Sequence, residues 1–359
     1  MRPIYINGRF LSQATTGVQR YATEIVKALD TLVLRGGTHG GRRIALLVPP
    51  GTPQPDWLRQ IASRSVGSLR GQAWEQLELP RYTPDGVCLN LCNTAPLLGR
   101  STVVAIHDAS VFAVPGTYSR AFRLWYRYLH RRLGRRVMRV VTVSEFSRSE
   151  LGRYVGIAPE RIAVIPGGGE HILAQPGDVR VLERLALRGR YLLAVSSQSP
   201  HKNFGGIVAA LHHLPQDIEL VFAGGANSRV FRLSGAASGK AHLVGRVTDG
   251  ELRALYENAA CFVYPSFYEG FGLPPLEAMT CGCPVIVSRA ASLPEVCGEA
   301  AVYCDPGDSV DIARAINAVL GNPELQADLR RRGPERATRF TWNKAAGSLL
   351  SLVDQLPIQ

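Results

Sequence analysis

The chain has 359 residues, of which 46% are hydrophobic and 19% charged, and its formal net charge is +12. This length exceeds that of one small domain and allows two hydrophobic cores. The seven cysteines have no spacing typical of a disulfide scaffold, which favours a protein of a reducing compartment. The sequence shows no signal-peptide core and no apolar run long enough to span a bilayer. We therefore expect a soluble or membrane-peripheral protein.

Short apolar runs alternate with helical patterns throughout the first half of the chain, which predicts parallel βαβ units. The first strand ends near Asn7, and Thr16, Gly17 and Val18 open a predicted helix over residues 18–34. The N-terminus of that helix can receive a phosphate. Further strands are predicted at residues 44–48, 87–91, 103–106, 140–143 and 162–165.

His107 and Asp108 directly follow the strand predicted at residues 103–106. Their side chains should therefore lie at the carboxyl edge of the sheet, where α/β proteins bind ligands. An imidazole at this edge can donate a hydrogen bond to a sugar hydroxyl or to a leaving oxygen. A histidine that only caps a strand end is the structural alternative.

An arginine-rich segment follows, with eight arginines between Arg120 and Arg139 and no acid from Ala109 to Ser144. Residues 1–170 hold 23 Lys and Arg against 11 Asp and Glu, whereas residues 171–359 hold 18 of each. The segment predicts a basic amphipathic helix whose Phe122, Leu129 and Leu133 pack on the sheet. Its arginine face favours an anionic membrane surface or an acceptor phosphate. Nucleic acid is not favoured, because no stacking platform or groove-reading motif is present.

The glycines of residues 166–169 separate two periodic regions, and the domain boundary is placed there. Strands are then predicted at residues 191–195, 218–222, 243–244, 261–265 and 285–287. Lys202 lies in a polar loop between a buried strand and the next helix, a position suited to binding a diphosphate. The closely spaced Cys281 and Cys283 are interpreted as small buried residues, and no metal site is predicted.

Residues 269–277 run from the end of an apolar strand into a helix that is predicted to begin at Pro275. Gly270 and Gly272 allow a ligand to approach the backbone, whose N–H groups can donate to hydroxyl or phosphate oxygens. Glu277 is expected in the first helical turn, and neither it nor Glu269 is expected to belong to the core. The pattern predicts a site for a polyhydroxylated, phosphorylated ligand.

The C-terminal region from Asp308 to about Val353 is predicted to be helical, with a break near residues 332–334. The terminal helix could pack across to the first domain. The expected organisation is a first Rossmann-like domain over residues 1–169, a second over 170–340 and a terminal helix over 341–359.

Taken together, these residues resemble glycosyltransferase family four. The specific part is the pair of glutamates in the segment over residues 268–277, with support from residues 143–147, 201–203, 284–288, 294–296 and 340–342. The resemblance implies an α/β protein of the GT-B fold, with two doubly wound domains facing a cleft, and a retaining enzyme that uses a nucleotide sugar without a metal.

The resemblance also implies roles for individual residues. Glu269, together with the N–H groups of Phe271, Gly272 and Leu273, would hold the transferred sugar. Glu277 would bind the ribose hydroxyls. Lys202 would bind the diphosphate, and Gly17 would contact it. His107 would contact the sugar near its reacting carbon. Many relatives have an arginine before the lysine as half of a diphosphate clamp, where this chain has Ser196 and Ser197.

Residues 7–10 and 16–21, together with His107 and Asp108, are similar to bacterial mannosyltransferases of polysaccharide assembly. The function expected from this similarity is transfer of a hexose, with mannose from GDP-mannose preferred, onto a lipid-linked or oligosaccharide acceptor by a cytoplasmic, membrane-peripheral enzyme. A UDP-sugar-dependent or other hexosyltransferase and a nucleotide-sugar epimerase or binding protein are the alternatives.

Overall fold

The computed structural model describes residues 2–36, 42–99, 101–187, 189–196, 199–225 and 241–357. The chain divides into two compact units. The first unit comprises Met1–Gly167 and Trp342–Gln359, and the second comprises Gly168–Thr341. Each unit is built on one parallel sheet with helical crossovers, as the alternation of apolar runs and helical patterns predicts.

The sheet of the first unit has seven strands in the order β3-β2-β1-β4-β5-β6-β7, and all pairs are parallel. Its strands are β1 Ile4–Asn7, β2 Ile44–Val48, β3 Ala62–Ser65, β4 Val87–Asn90, β5 Thr102–Ala105, β6 Arg139–Thr142 and β7 Ile162–Val164. The strand order reverses between β1 and β4, so a ligand crevice is expected at their carboxyl ends.

The sheet of the second unit has six parallel strands in the order β10-β9-β8-β11-β12-β13. Its strands are β8 Tyr191–Ser196, β9 Glu219–Gly224, β10 Ala241–Gly245, β11 Cys261–Tyr264, β12 Val285–Ser288 and β13 Val302–Cys304. The order reverses between β8 and β11. Buried apolar residues of β8, β9, β11 and β12 form much of the core of this unit.

The α-helices connect these strands and close the chain. They are α1 Gly17–Gly36, α2 Gly71–Ala73, α3 Ser110–Ala113, α4 Arg120–Arg136, α5 Glu145–Val155, α6 Arg180–Arg184, α7 Phe204–Ala210, α8 Asp249–Asn258, α9 Leu273–Thr280, α10 Leu293–Cys297, α11 Ser309–Leu320, α12 Pro323–Ala337 and α13 Trp342–Asp354. The terminal helix α13 packs on α1 and belongs to the first unit. Trp342, Leu349 and Leu350 of α13 are buried there.

Three features differ from the prediction. Strands β3 and β13 at the sheet edges were not expected from the sequence, and β3 is largely exposed with the polar sequence Ala-Ser-Arg-Ser. The predicted helix break near residues 332–334 is wrong, because Pro334 lies inside α12. Gly333 allows α12 to approach Met279 closely, since a Cβ there would lie 3.2 Å from the Met279 carbonyl oxygen.

Candidate active site

Lys202 and Glu269 meet in the second unit, where the strand order reverses. Lys202 follows β8 and Glu269 follows β11. The Lys202 Nζ donates to the two Glu269 carboxylate oxygens at 2.7 and 2.8 Å and to the Tyr264 hydroxyl at 3.1 Å. The three N–H donors of the ammonium are therefore all engaged by an acid and a phenol.

This cluster is a charged pair within a largely buried environment. The side chains of Lys202 and Glu269 are 17% and 8% exposed. Burial opposes the positive charge, but the Glu269 carboxylate beside it raises the pKa of Lys202 above its ordinary value. Burial and the same carboxylate also raise the pKa of Tyr264. At neutral pH the cluster thus contains an ammonium and a neutral phenol, both able to donate to anionic oxygens.

Buried serines hold the loop that carries Glu269. The Ser292 hydroxyl donates to the Glu269 and Phe271 carbonyl oxygens at 3.0 and 2.9 Å. The lysine loop is joined to the same segment, because the His201 carbonyl oxygen accepts from the Ser266 hydroxyl at 2.9 Å and from the backbone N–H of residue 267 at 2.8 Å. The two loops are therefore one hydrogen-bonded assembly, which fixes the position of Glu269 relative to Lys202.

Gly272 shapes the turn between this loop and α9. Its φ of +103° lies in the left-handed region, and a Cβ at this position would lie 2.8 Å from the Leu293 side chain. Within the described ranges, the N–H groups of Phe271, Gly272 and Leu273 donate to no protein acceptor. Three successive donors at a helix N-terminus form a site suited to hydroxyl or phosphate oxygens.

The predicted start of α9 is wrong by two residues. The helix begins at Leu273, with two prolines in its first turn, where the missing N–H groups remove no intrahelical bond. Glu277 is consequently the fifth residue of the helix and lies beyond the first turn. The first-turn dipole contact that was expected for Glu277 is therefore not formed.

Two buried side chains bind the Glu277 carboxylate instead. His171 Nε2 lies 3.0 Å from Oε1, and the Tyr256 hydroxyl donates to Oε2 at 3.2 Å. Burial and the Glu277 carboxylate raise the pKa of Tyr256 well above its ordinary value. Glu269 and Glu277 are each only 7% exposed, but neither belongs to the hydrophobic core, as expected. Both are buried in polar clusters, and each has hydrogen-bond donors for its charge.

In the first unit, His107 follows β5 and is 8% exposed. Its Nε2 lies 3.0 Å from the Leu91 carbonyl oxygen, which can only accept, so Nε2 carries the proton. Burial lowers the pKa of His107, which keeps the ring neutral. The available Nδ1 can therefore accept from a hydroxyl, whereas the sequence had suggested a donor. Asp108 Oδ1 accepts from the Ser110 backbone N–H at 2.8 Å.

Gly17 is the first residue of α1, and no atom of the described residues lies within 4 Å of a Cβ built there. The space beside this backbone is open to a ligand. Ser197 lies outside the described residues.

A buried polar cluster at the carboxyl ends of β1 and β4 was not predicted. Arg9 donates from Nε to Glu75 at 2.7 Å and from its terminal nitrogen to Thr94 at 2.7 Å. Asn7 donates to Glu75 at 3.0 Å and to Asn90 at 2.8 Å. The sequence signal for this cluster was an asparagine at the end of each of two apolar strands, Asn7 and Asn90. The strand order, which places these two ends side by side, is visible only in the structure.

In the part of the chain that the structure describes, no three His, Cys, Asp or Glu side chains are grouped so that they could hold a metal ion. Among the described helices, none has the length and apolar character needed to cross a membrane. All seven cysteines are free thiols. Cys283 is buried as expected, whereas Cys281 is only partly buried.

Comparison with known proteins identifies two family models in this chain. Residues 15–169 match the model described as Glycosyltransferase Family 4, and residues 183–336 match the model described as Glycosyl transferases group 1. The matches cover most of the first and second units, respectively.

The chain is 33% identical over 288 residues to O-antigen chain mannosyltransferase B of Escherichia coli, and the match covers 76% of this chain and 74% of that protein. It is 30% identical over 246 residues to the MMP alpha-(1->4)-mannosyltransferase of Mycolicibacterium hassiacum, covering 65% of this chain and 58% of the relative.

Among solved structures, sucrose-phosphate synthase from Thermosynechococcus elongatus superimposes with a TM-score of 0.75 at 20% identity over 99% of both chains. A likeness at this identity shows the fold alone, and it confirms the predicted GT-B class. The matched models and the first of these relatives show that the chain belongs to glycosyltransferase family four.

Proposed function

We propose that this glycosyltransferase transfers mannose from GDP-mannose, with retention of the anomeric configuration, onto a lipid-linked or oligosaccharide acceptor in bacterial polysaccharide assembly. The names of the relatives support mannose: one is an O-antigen chain mannosyltransferase and another an MMP mannosyltransferase. The basic first half of the chain suits an acceptor that carries phosphate.

The observation that carries the proposal is the cluster of Lys202, Glu269 and Tyr264 beside three N–H groups that have no acceptor among the described residues. In the proposal, the Glu269 carboxylate accepts from hydroxyls of the transferred sugar. The backbone donors at Phe271, Gly272 and Leu273 bind oxygens of the sugar and diphosphate. Lys202 exchanges one of its protein hydrogen bonds for a phosphate oxygen when the diphosphate departs.

Glu277, Gly17 and His107 supply the remaining contacts with the nucleotide sugar in this proposal. Glu277 binds the ribose hydroxyls, because a carboxylate held by His171 and Tyr256 still has lone pairs to accept from them. Gly17 allows an oxygen of the diphosphate to approach the α1 backbone. His107 accepts from a sugar hydroxyl through Nδ1. The reaction in this proposal proceeds by front-face attack, with the leaving phosphate helping to deprotonate the acceptor, and needs no metal.

The proposal places the enzyme in the cytoplasm, peripherally on the inner face of the membrane, with α4 as the contact. Leu124, Trp125 and Tyr128 of α4 are 68%, 36% and 48% exposed. Exposed arginines flank these apolar side chains. An amphipathic helix with this composition binds anionic lipid headgroups through its cations and the acyl boundary through its aromatic residues.

The test of activity offers purified protein GDP-mannose, UDP-glucose and other nucleotide sugars with a panel of lipid-diphosphate sugars. We expect a mannosylated product from GDP-mannose whose anomeric configuration, read by NMR, matches that of the donor. Activity should persist in EDTA. Nucleotide release without a glycosylated product would favour the epimerase or binding-protein alternative, and a product from a UDP-sugar alone would overturn the choice of donor.

The first variant to measure is Glu269→Gln, which keeps the size of the side chain and removes its charge. We expect kcat/KM to fall by at least ~100-fold, since the Gln amide cannot replace a carboxylate as an acceptor for both the lysine and the sugar. Glu299→Gln is the matched control, because Glu299 is exposed and lies outside the cluster. Equal activity of the two variants would contradict the proposed role of Glu269.

A further inference from the structure

Asn93 has an unusual backbone conformation in the loop after β4. Its φ is +62°, a left-handed value that asparagine tolerates better than other residues with a Cβ. Its backbone N–H donates to the Ala105 carbonyl oxygen at 2.9 Å, at the end of β5. Asn93 thus joins the loop after β4 to the strand that leads directly into His107.

The side chain of Asn93 also binds His107. The Asn93 Oδ1 accepts from the His107 backbone N–H at 2.8 Å. Two residues earlier in the same loop, the Leu91 carbonyl oxygen accepts from the His107 ring at Nε2. The backbone and the ring of His107 are therefore both held by residues 91–93.

A second histidine supports this loop from α4. His130 Nε2 lies 3.0 Å from the Asn93 carbonyl oxygen and, because a carbonyl only accepts, donates to it. His130 is 2% exposed, and its ring lies against those of Phe112 and Tyr126. Its Nδ1 is buried without a hydrogen-bond partner among the described residues, so the bond to Asn93 is its one polar contact there.

We infer that Asn93 and His130 are positioning residues for His107: they fix the Leu91–Asn93 loop so that the His107 proton stays on Nε2 and Nδ1 remains the acceptor. This inference rests on the proposed function, in which His107 contacts the transferred sugar. A hydrogen bond from one nitrogen of a neutral imidazole to a carbonyl oxygen keeps the proton on that nitrogen and leaves the other nitrogen as an acceptor. If the Leu91 carbonyl oxygen moved away from the His107 ring, the proton could move to Nδ1. In that form Nδ1 could no longer accept a hydrogen bond from a hydroxyl.

The test compares three substitutions of asparagine. Asn93→Gly keeps the left-handed backbone accessible and removes the Oδ1 acceptor, whereas Asn93→Asp retains an oxygen acceptor and tolerates the same φ. Asn322→Gly is the matched control. It removes one side-chain acceptor of a backbone N–H, that of Leu325, in the second unit away from the cluster.

We expect Asn93→Gly to lower kcat by about 10- to 100-fold with the KM for the donor within about 3-fold, because a misplaced catalytic group slows turnover more than it weakens donor binding. Asn93→Asp should recover most of this loss, and Asn322→Gly should leave kcat unchanged. At the second position, His130→Gln can still donate to Asn93 and should remain near the wild type, whereas His130→Phe should lose activity. Equal loss in the Gly and Asp variants, or no loss in either, would overturn the inference.

A measurement without substrate separates this inference from the proposed function. In ¹⁵N-histidine NMR spectra, with His107 assigned from its own substitution, the wild type should show the Nε2-protonated neutral ring. The Nδ1-protonated form should become detectable in Asn93→Gly and His130→Phe. An unchanged tautomer in both variants would overturn the positioning role even if the enzyme transfers mannose. A changed tautomer in a protein that transfers no sugar would instead contradict only the proposed function.

Discussion

Glu277 is a buried carboxylate of the second unit that two side chains hold in place. Its two oxygens accept from His171 and Tyr256, which lie 106 and 21 residues away in the sequence. These bonds provide partners for both oxygens of the buried carboxyl group and restrict the rotamers of the side chain. In the proposed function, where Glu277 binds the ribose, both partners act on donor affinity through Glu277.

Tyr256→Phe tests this support, since it removes one donor to Glu277 and keeps the ring. We expect the KM for the donor to rise by roughly 3- to 10-fold with little change in kcat, which corresponds to the ~1 kcal/mol of one buried hydrogen bond. Tyr191→Phe is the matched control, because the Tyr191 hydroxyl is also buried but donates to the Leu255 carbonyl oxygen. A larger KM change in the control than in Tyr256→Phe would argue against the role.

The buried His130 should make the stability of the folded chain depend on pH. Burial lowers its pKa from 6.5 to about 4, so below pH 6.5 the unfolded chain binds a proton that the folded chain does not. Stability therefore falls as the pH decreases through this range, and the loss is complete below pH 4. From these two pKa values, His130 should lower the free energy of unfolding by about 2 kcal/mol at pH 5 relative to pH 7.5.

The measurement is urea unfolding of wild type and His130→Gln at both pH values. His107 and the other titrating groups remain in both proteins, so the difference between them isolates His130. The free energy of unfolding should fall less for the variant than for the wild type on acidification. Parallel losses in the two proteins would show that His130 is not a buried neutral group.

The sequence located Lys202 and Glu269 because both follow apolar strands, and the ends of neighbouring parallel strands meet at one edge of the sheet. It did not locate His171 or Tyr256. Tyr256 lies inside a helix and His171 follows the glycines at residues 167–169, and neither residue type nor local spacing reveals a contact made in three dimensions. The direction of the His107 hydrogen bond was also missed, because it depends on the Leu91 carbonyl oxygen.

Among the elements, α4 departs furthest from its expected packing. Leu129 and Leu133 are fully buried as predicted, but Phe122 is 39% exposed and stacks between Tyr118 and Tyr126. The residues that remain exposed on α4 are therefore more aromatic than the sequence suggested. Arg127 is only partly exposed, and its Nε already donates to the Val111 carbonyl oxygen at 3.1 Å.

This packing selects the variants for a membrane-binding test. Replacing the exposed Arg131, Arg132 and Arg135 with Gln should weaken binding to anionic liposomes by about 100-fold, at ~1 kcal/mol per cation, while binding of soluble GDP-mannose persists. The control is the triple change Arg59→Gln, Arg70→Gln and Arg81→Gln, which alters the net charge equally at exposed positions elsewhere in the first unit. Equal weakening by both sets would indicate a general charge effect and remove the specific role of α4.

The edge strands β3 and β13, the start of α9 and the course of α12 were the features that the sequence predicted least well. In β3 the polar residues have no alternating apolar face, because an edge strand needs to bury little of its surface. Pro334 indicated a helix break that does not occur, since tertiary packing outweighs the loss of one hydrogen bond in α12. Central strands such as β2 were predicted accurately because they are buried on both faces and read as continuous apolar runs.

For the whole molecule, the second unit is one continuous segment, Gly168–Thr341. It contains Lys202, Glu269 and Glu277 together with their hydrogen-bonding partners and its own hydrophobic core. We expect this segment, expressed alone, to unfold cooperatively and to bind GDP within about 10-fold of the affinity of the full chain, because most contacts proposed for the donor lie within it. Calorimetric titration with GDP measures this affinity. A folded segment that does not bind GDP would contradict the proposed placement of most donor contacts in the second unit.

The first unit, in contrast, is assembled from both ends of the chain, since α1 packs against the terminal helix α13. During synthesis on the ribosome, α1 emerges early, whereas Trp342 and Leu349 of α13, which are buried in the same unit, emerge only about 300 residues later. The apolar face of α1 that packs on α13 should therefore stay exposed in the nascent chain, while the second unit, which lies between the two parts of the first unit in the sequence, can already fold. Chaperone binding to ribosome-bound chains should accordingly concentrate on the first unit and end once α13 has emerged and packed on α1.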